Sequence, residues 1–120
     1  MEPITLQAID PTAVATAEQQ TLSPVSERRM RKLLDVLCDG TRLKIVRALR
    51  DNQLAASDLA RVLGRSRSAT SQHLRVLREA DVVQPSRNGN VVRYTLAADI
   101  NADILKDVSR AFDRLEPGTA

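Results

Sequence analysis

The chain has 120 residues and a net charge of +3, with 42% apolar residues but only 2% aromatic ones. This length supports one domain with a small aliphatic core, and an arginine-rich, aliphatic composition favours packed helices over a β-sandwich. A single cysteine, Cys38, excludes a disulfide framework within the chain and any cysteine-rich metal cluster.

The first 24 residues are predicted to be a flexible arm, because they contain three prolines and mostly small polar side chains. Within the arm, AVATAEQQ is compatible with a short helix. The chain has no secretion signal at its start and no apolar run that would span a bilayer, so we expect a cytoplasmic protein without a membrane partner. The domain proper is expected at 25–116, followed by a tail at 117–120.

Five helices are predicted after the arm. In SERRMRKLLDVLC, apolar residues recur at every third or fourth position, and Ser26 is the expected N-cap. Asp39 is expected to cap TRLKIVRALRDN, and Gly64 is expected to end AASDLARVLG. Ser66 is the predicted cap of a helix at 67–80. The last helix is predicted over ADILKDVSRAFDRL, which has one apolar side.

A β-hairpin is predicted between the last two helices. Asn88-Gly89 separates two runs rich in β-branched residues, which is a strong hairpin signal. Pro85 has to lie on an edge strand or at a bulge, because it has no N–H to donate. The predicted fold is mainly α-helical with a small β-hairpin. Helices 56–63 and 67–80, joined by GRS, are typical of a helix-turn-helix, and the hairpin would form its wing.

The predicted helix at 67–80 has two different faces. The inner face is expected to contain Thr70, His73, Leu74, Leu77 and Ala80. The outer face has small hydroxyls and an amide, which let a helix backbone approach base edges closely; its residues are Ser68, Ser71, Gln72 and Arg75. Arg65, Arg67 and Arg78 flank this face, where phosphates border a groove. Serines are poor choices for a helix that faces only solvent, so the pattern predicts contact with double-stranded DNA.

Basic residues are concentrated in the middle of the chain. Residues 41–95 contain eleven basic and four acidic residues, a net charge of +7, whereas 1–40 and 96–120 each have a net charge of −2. This partition favours a polyanionic partner, and a solvated basic face is the alternative. At the hairpin tip, Arg87, Asn88 and Asn90 are predicted to contact a neighbouring minor groove or phosphate.

Three stretches resemble the ArsR/SmtB family of bacterial winged-helix repressors: LCDGTRLKIVRAL, SDLARVLGRSRSATSQHLRVLREADVV and GNVVRYTL. The resemblance covers roughly residues 28–115. It implies a homodimer formed by the first and last helices, and a repressor that binds its own operator and is released by an effector, such as a small molecule. The interface residues that it implies are Met30, Leu33, Leu34, Leu37, Ile104, Val108, Phe112 and Leu115.

The chain departs from the metal-sensing members of that family. Ala55 and Ser57 occupy the two positions that are cysteines in one family metal site. The positions that match a second site are Asp99, Asn101, Phe112 and Leu115, of which the last two have no atom that binds a cation. We therefore expect no metal site of the family type and no cofactor.

Three further questions concern Cys38, catalysis and the class of function. Cys38 is interpreted either as a redox sensor or as a small buried residue, and the lack of a resolving cysteine favours the second. No nucleophile–base pair or phosphate loop is present, so an enzyme is not expected. The alternatives to a sequence-specific regulator are a dimeric protein-interaction module and a non-specific DNA coater. Salt dependence would exclude the first, and preference for the protein's own upstream DNA would exclude the second.

Overall fold

The structure, a computed structural model, describes residues 6–97 and 102–117; Asp99, Asn101 and 118–120 of the predicted tail lie outside these ranges. The chain divides into two units, residues 1–30 and 31–120. The helices and strands of the described residues are α1 (Pro11–Gln19), α2 (Pro24–Leu37), α3 (Gly40–Ala48), β1 (Leu54–Ala55), α4 (Ala56–Leu63), α5 (Arg67–Glu79), β2 (Val83–Asn88), β3 (Val91–Leu96) and α6 (Ala102–Leu115). None of these helices combines the length and apolar character needed to cross a membrane.

The first unit contains α1 and the start of α2. The Asp10 side chain caps α1, and Pro11 takes the first helical position, where a missing N–H is not needed. The short helix expected in the arm is therefore present. The prediction that Ser26 caps α2 is wrong, because α2 already begins at Pro24 and the Ser23 hydroxyl accepts a 3.2 Å hydrogen bond from the Ser26 N–H. Proline is well suited to the first helical position and sets the start there.

Three predicted helix boundaries in the second unit are confirmed. The Asp39 carboxylate accepts two backbone N–H hydrogen bonds, of 2.9 and 3.0 Å, at the start of α3. Gly64 ends α4 in the left-handed conformation, with φ of 64°. The Ser66 hydroxyl accepts a 3.0 Å hydrogen bond from a backbone N–H in the first turn of α5. The last helix, α6, spans the same residues as the predicted one.

The core of the second unit is aliphatic and combines residues from α2 to α6 with the start of β2. On α5, Thr70, Leu74 and Leu77 are buried, while His73 and Ala80 are partly buried, as predicted for the inner face. The predicted outer residues of α5 are all exposed. Burial of the inner face therefore fixes which side chains of α5 point outward.

The predicted hairpin is confirmed, but its loop is shifted by one residue. Asn88 pairs with Val91 at the end of β2, so the two-residue loop is Gly89-Asn90 rather than Asn88-Gly89. Gly89 has a φ of 64°, and a type II′ turn places glycine at this first loop position. Pro85 lies on β2, an edge strand, as its missing N–H predicted.

A third strand, β1, was not predicted from the sequence. It pairs with β3 in an antiparallel sheet of order β1-β3-β2, with Leu54 opposite Tyr94. Because α4 begins directly after β1, this pairing connects the start of the helix-turn-helix to the hairpin.

Candidate nucleic-acid interface

A cleft of about 680 Å³ lies between the start of α4, the exposed face of α5 and the hairpin. Five of the predicted DNA-binding residues line it: Arg67, Ser71, Arg78, Arg87 and Asn90. The other five are exposed at the surface, outside the lining of the cleft: Arg65, Ser68, Gln72, Arg75 and Asn88. The fold thus brings residues of the recognition helix and the wing tip to one concave surface.

The first turn of α5 is held by side-chain hydrogen bonds that direct its neighbours outward. Ser66 caps the helix, and the buried Thr70 hydroxyl donates to the Ser66 carbonyl oxygen at 2.9 Å. Of the three residues between them, Arg67 and Ser68 are exposed. Free N–H groups and the positive end of the helix dipole at such a terminus attract anions. The same end of α5 therefore carries an arginine, a hydroxyl and a favourable dipole.

The arginines that line the cleft are not paired with acids in the described part of the chain. Arg67, Arg78 and Arg87 form no salt bridge within residues 6–97 and 102–117. The Nε of Arg87 donates to the Gly89 carbonyl oxygen at 3.2 Å, which places its guanidinium beside the turn. Arg75 differs, because its Nε donates to Glu79 Oε1 at 3.1 Å. The cleft is therefore strongly basic, with several unused N–H donors.

The cleft also contains residues that were not predicted from the sequence to bind DNA. Ser57, in the first turn of α4, and Tyr94, on β3, both line it. Tyr94 reaches this position through the pairing of β3 with β1. A two-residue strand has no periodic pattern, so the sequence contained no signal for this arrangement.

Known proteins with similar sequences and structures establish the family. Residues 39–84 match the bacterial regulatory proteins of the arsR family. The HTH-type transcriptional regulator Rv2034 of Mycobacterium tuberculosis is 40% identical over 84 residues, which are 70% of this chain and 78% of that protein. The transcriptional repressor SmtB homolog of Synechocystis is 30% identical over 96 residues, 80% of this chain and 73% of that protein. The chain belongs to the ArsR family.

The fold of this ArsR-family protein agrees with the assignment. The transcriptional repressor BigR from Xylella fastidiosa matches it with a TM-score of 0.71 and 26% identity, over 78% of this chain and 93% of that one. The protein is thus a winged helix-turn-helix DNA-binding transcriptional regulator. Its relatives regulate transcription, and the family is not one of enzymes.

The interface residues implied by the family resemblance fall into three groups according to their exposure in this ArsR-family chain. Leu33 and Leu37 are 4% and 5% exposed and belong to the core of their own chain, which corrects their assignment to a dimer contact. Leu34 and Leu115 are 52% and 76% exposed. The remaining four are partly buried, namely Met30, Ile104, Val108 and Phe112. One edge of the α2 stripe therefore packs into the core of its own chain, while Leu34 on the other edge remains exposed.

Cys38 of this ArsR-family chain is exposed, so its interpretation as a small buried residue is wrong. α2 ends one residue earlier, and Leu37 rather than Cys38 occupies the core position. Among the described residues, no three His, Cys, Asp or Glu side chains lie together in a way that would hold a metal ion.

Proposed function

We propose that the protein is a homodimeric repressor that binds its own operator through α5 and the β2–β3 wing. The observation that carries this proposal is the cleft, whose lining contains Ser71 together with Arg67, Arg78 and Arg87, three arginines that have no salt bridge in the part of the chain that the structure describes. An unpaired basic surface of this shape is suited to a phosphate backbone on either side of a groove. Relatives that are named repressors support the direction of regulation.

The residues of α5 divide between reading bases and positioning the backbone. The small side chains of Ser68 and Ser71 let α5 enter a major groove, and the amide of Gln72 is suited to a bidentate contact with adenine. Phosphate contacts on either side are assigned to Arg65, Arg67, Arg75 and Arg78. In the wing, Arg87, Asn88 and Asn90 are assigned to the adjacent minor groove or its phosphates.

A second copy of the chain is the proposed occupant of the exposed apolar surface of α2 and α6. Leu34 and Leu115 are large and exposed, and Ile104, Val108 and Phe112 retain partly exposed apolar area. Such a surface is stabilised when a partner covers it. Two α5 helices related by twofold symmetry would read half-sites about one helical turn apart.

Fluorescence anisotropy with two duplexes tests sequence-specific binding. One duplex comes from the DNA upstream of the gene, and the other has the same base composition in shuffled order. We expect tight binding to the first and a preference over the second that falls about tenfold in Gln72→Ala, since a bidentate base contact contributes roughly 1–3 kcal/mol of discrimination. Gln53→Ala, an exposed glutamine outside the cleft, is the matched control. Equal affinity of the wild-type protein for both duplexes would contradict the proposal and indicate a DNA coater.

The exposure of Cys38 favours thiol oxidation as a second candidate mode of regulation. With hydrogen peroxide as the oxidant, two Cys38 thiols from two chains would form a disulfide while the peroxide is reduced to water. The measurement is operator affinity before and after peroxide, in wild type and Cys38→Ala. Loss of affinity only in the wild type supports this mode, and an unchanged affinity excludes it.

A further inference from the structure

A second concave feature of the domain is lined by residues other than those of the DNA cleft. It is a pocket of about 320 Å³ between α6, the end of β3 and Arg50, which follows α3. This volume lies at the lower end of the range of roughly 300–1,000 Å³ for small-molecule sites. The pocket shares no residue with the DNA cleft.

Ser109 on α6 is the unusual residue of this pocket. The residue is 2% exposed, yet its hydroxyl oxygen has no hydrogen-bond partner. Serine within a helix can bond to the carbonyl four residues earlier, but Ser109 does not. Nearly all buried polar groups in proteins are hydrogen-bonded, so an exception that lines a pocket points to a ligand.

The charges around the pocket favour an anion. Its lining contains three bases, Arg50, Lys106 and Arg110, against one acid, Asp113. Lys106 forms no salt bridge in the described part of the chain, and Arg110 has only an exposed pair of 3.4 Å with Asp107. The pocket lining therefore contains both the Ser109 hydroxyl and an ammonium group that has no salt bridge within the described residues.

The remaining wall of the pocket is apolar, with Leu96, Ala97 and Leu105. We propose that the pocket binds a small organic anion, a carboxylate with an apolar body. Lys106 and Ser109 hold the carboxylate, and the body lies against Leu96 and Leu105. A carboxylate has the acceptor oxygens that both an ammonium and a hydroxyl need.

The pocket lies on a different side of α6 from the apolar surface that we assign to the dimer. Lys106, Ser109, Arg110 and Asp113 have the spacing i, i+3, i+4 and i+7, which places them along one side of the helix. At 100° per residue, Ile104, Val108 and Leu115 cluster on another side, with Phe112 at the edge between the two sides. A second copy that covers the apolar side therefore leaves the pocket open.

The same pocket contains the salt bridge that joins α6 to α3. Arg50 Nη1 donates to Asp113 Oδ1 at 2.8 Å, and Arg47 Nη1 lies 3.6 Å from that oxygen. A bound carboxylate competes with Asp113 for Arg50 and weakens this link. α3 packs on α4 and α5, so a change in the link between α6 and α3 is transmitted to the helix-turn-helix. The ligand therefore changes operator affinity, a consequence that rests on the proposed function.

Isothermal titration calorimetry of the DNA-free protein tests the pocket. The probes are hexanoate and benzoate, with hexan-1-ol and benzamide as neutral controls and inorganic phosphate as an anion without an apolar body. We expect saturable binding of a carboxylate, with the neutral probes and phosphate about tenfold weaker or more. The inference is overturned if neither carboxylate saturates, or if a neutral probe or phosphate binds as tightly.

Variants connect the binding to the named groups. Lys106→Gln is expected to weaken carboxylate binding about tenfold, whereas Lys44→Gln, an exposed lysine on α3 outside the pocket, leaves it unchanged. Ser109→Ala is expected to weaken binding severalfold without lowering the melting temperature, because it removes a hydroxyl that has no partner. Equal binding by the two lysine variants contradicts the assignment.

Operator affinity measured with and without saturating carboxylate separates this inference from the proposed function. If the protein binds carboxylate but not operator DNA, the result supports the pocket and contradicts the proposed function. If it binds operator DNA but not carboxylate, the result supports the proposed function and overturns the pocket. Binding of both without any change in operator affinity supports the pocket and overturns its coupling to α3.

Discussion

Arginines line the cleft and also lie at the contact between α3 and α6. Of these two groups, only the arginines at the α3–α6 contact form salt bridges with an acid within the described residues. Arg67 and Arg78 in the cleft form no salt bridge in the described ranges, whereas Arg50 and Arg47 share the carboxylate of Asp113. Arg47 also lies over the ring of Phe112, at 5.8 Å from its centroid. Among the described residues, the arginines at the α3–α6 contact are paired with Asp113, whereas the arginines that line the cleft form no salt bridge.

The unpaired arginines of the cleft destabilise the free protein and favour the binding of a polyanion. Unpaired arginines close together repel one another, and that repulsion is relieved when a polyanion approaches. In the α3–α6 contact, the hydrogen bond from Arg50 is the largest cause of the lowered pKa of Asp113, and burial opposes it. Asp113 therefore stays ionised at mildly acidic pH and keeps both arginines in place.

The largest expected effect is on DNA affinity when two cleft arginines are removed. The double variant Arg67→Ala/Arg78→Ala should bind every duplex about a hundredfold more weakly, at about tenfold for each charged contact. The slope of log affinity against log salt should become shallower by about two, because two fewer phosphates are neutralised. Anisotropy at several salt concentrations measures both. The melting temperature should not fall, since neither arginine forms a salt bridge with any residue that the structure describes.

Arg110→Ala is the control for this double variant, because Arg110 is an exposed arginine on α6 outside the cleft. Its removal should leave the salt slope unchanged. If Arg110→Ala reduced the slope as much as one cleft arginine, net charge rather than the cleft would explain binding.

A smaller effect is expected when the salt bridges of Asp113 are removed. This effect is on the stability of the fold rather than on DNA affinity. Asp113→Asn should lower the melting temperature at neutral pH by a small amount, because exposed salt bridges contribute little and are screened by salt. The folded pKa of Asp113 is below the ordinary aspartate value of 3.8, so its ionised form stabilises the fold above that value. This contribution is lost as the pH falls through the folded pKa.

Urea unfolding from neutral to acidic pH measures the difference between wild type and Asp113→Asn. The difference should be largest at neutral pH and low salt, and should vanish in acid. The pKa of Asp39 is also lowered, chiefly by the backbone N–H of Arg42, but Asp39 titrates in both proteins and cancels in the difference. A difference that persists in acid would show that packing rather than charge is lost.

The sequence predicted those parts of the fold that depend on neighbouring residues. A carboxylate or hydroxyl before a helix and a glycine after it act within one turn, so Asp39, Ser66 and Gly64 indicated correct boundaries. The spacing of apolar and small polar residues likewise indicated which face of α5 is exposed. These signals required no knowledge of distant contacts.

The errors arose where distant parts of the chain meet. β1 exists because β3 pairs with it, and Leu37 is buried because the core lies against α2 at that point. An apolar stripe does not show whether its partner is the same chain or another, so Leu33 and Leu37 were assigned to a dimer contact. The cleft itself was predicted only as a set of residues, since its shape depends on the sheet.

The smallest expected effect concerns Arg75 on α5, which shares one feature with the cleft arginines and one with the acid-paired arginines. It lies on the exposed face of α5, yet its Nε donates to Glu79 Oε1. Glu79→Gln should release Arg75 and remove a negative charge near the cleft, and thus strengthen DNA binding about threefold, with a slightly steeper salt slope.

The matched control for Glu79→Gln is Asp107→Asn, which releases Arg110 from a similar exposed pair on α6, away from the cleft. Both variants raise the net charge of the protein by one. If both strengthen DNA binding equally in anisotropy titrations, the overall field of the protein determines its affinity. If only Glu79→Gln strengthens DNA binding, the position of the released arginine determines the effect. The reason is that a DNA phosphate takes the place of the lost carboxylate only beside a helix that faces the DNA.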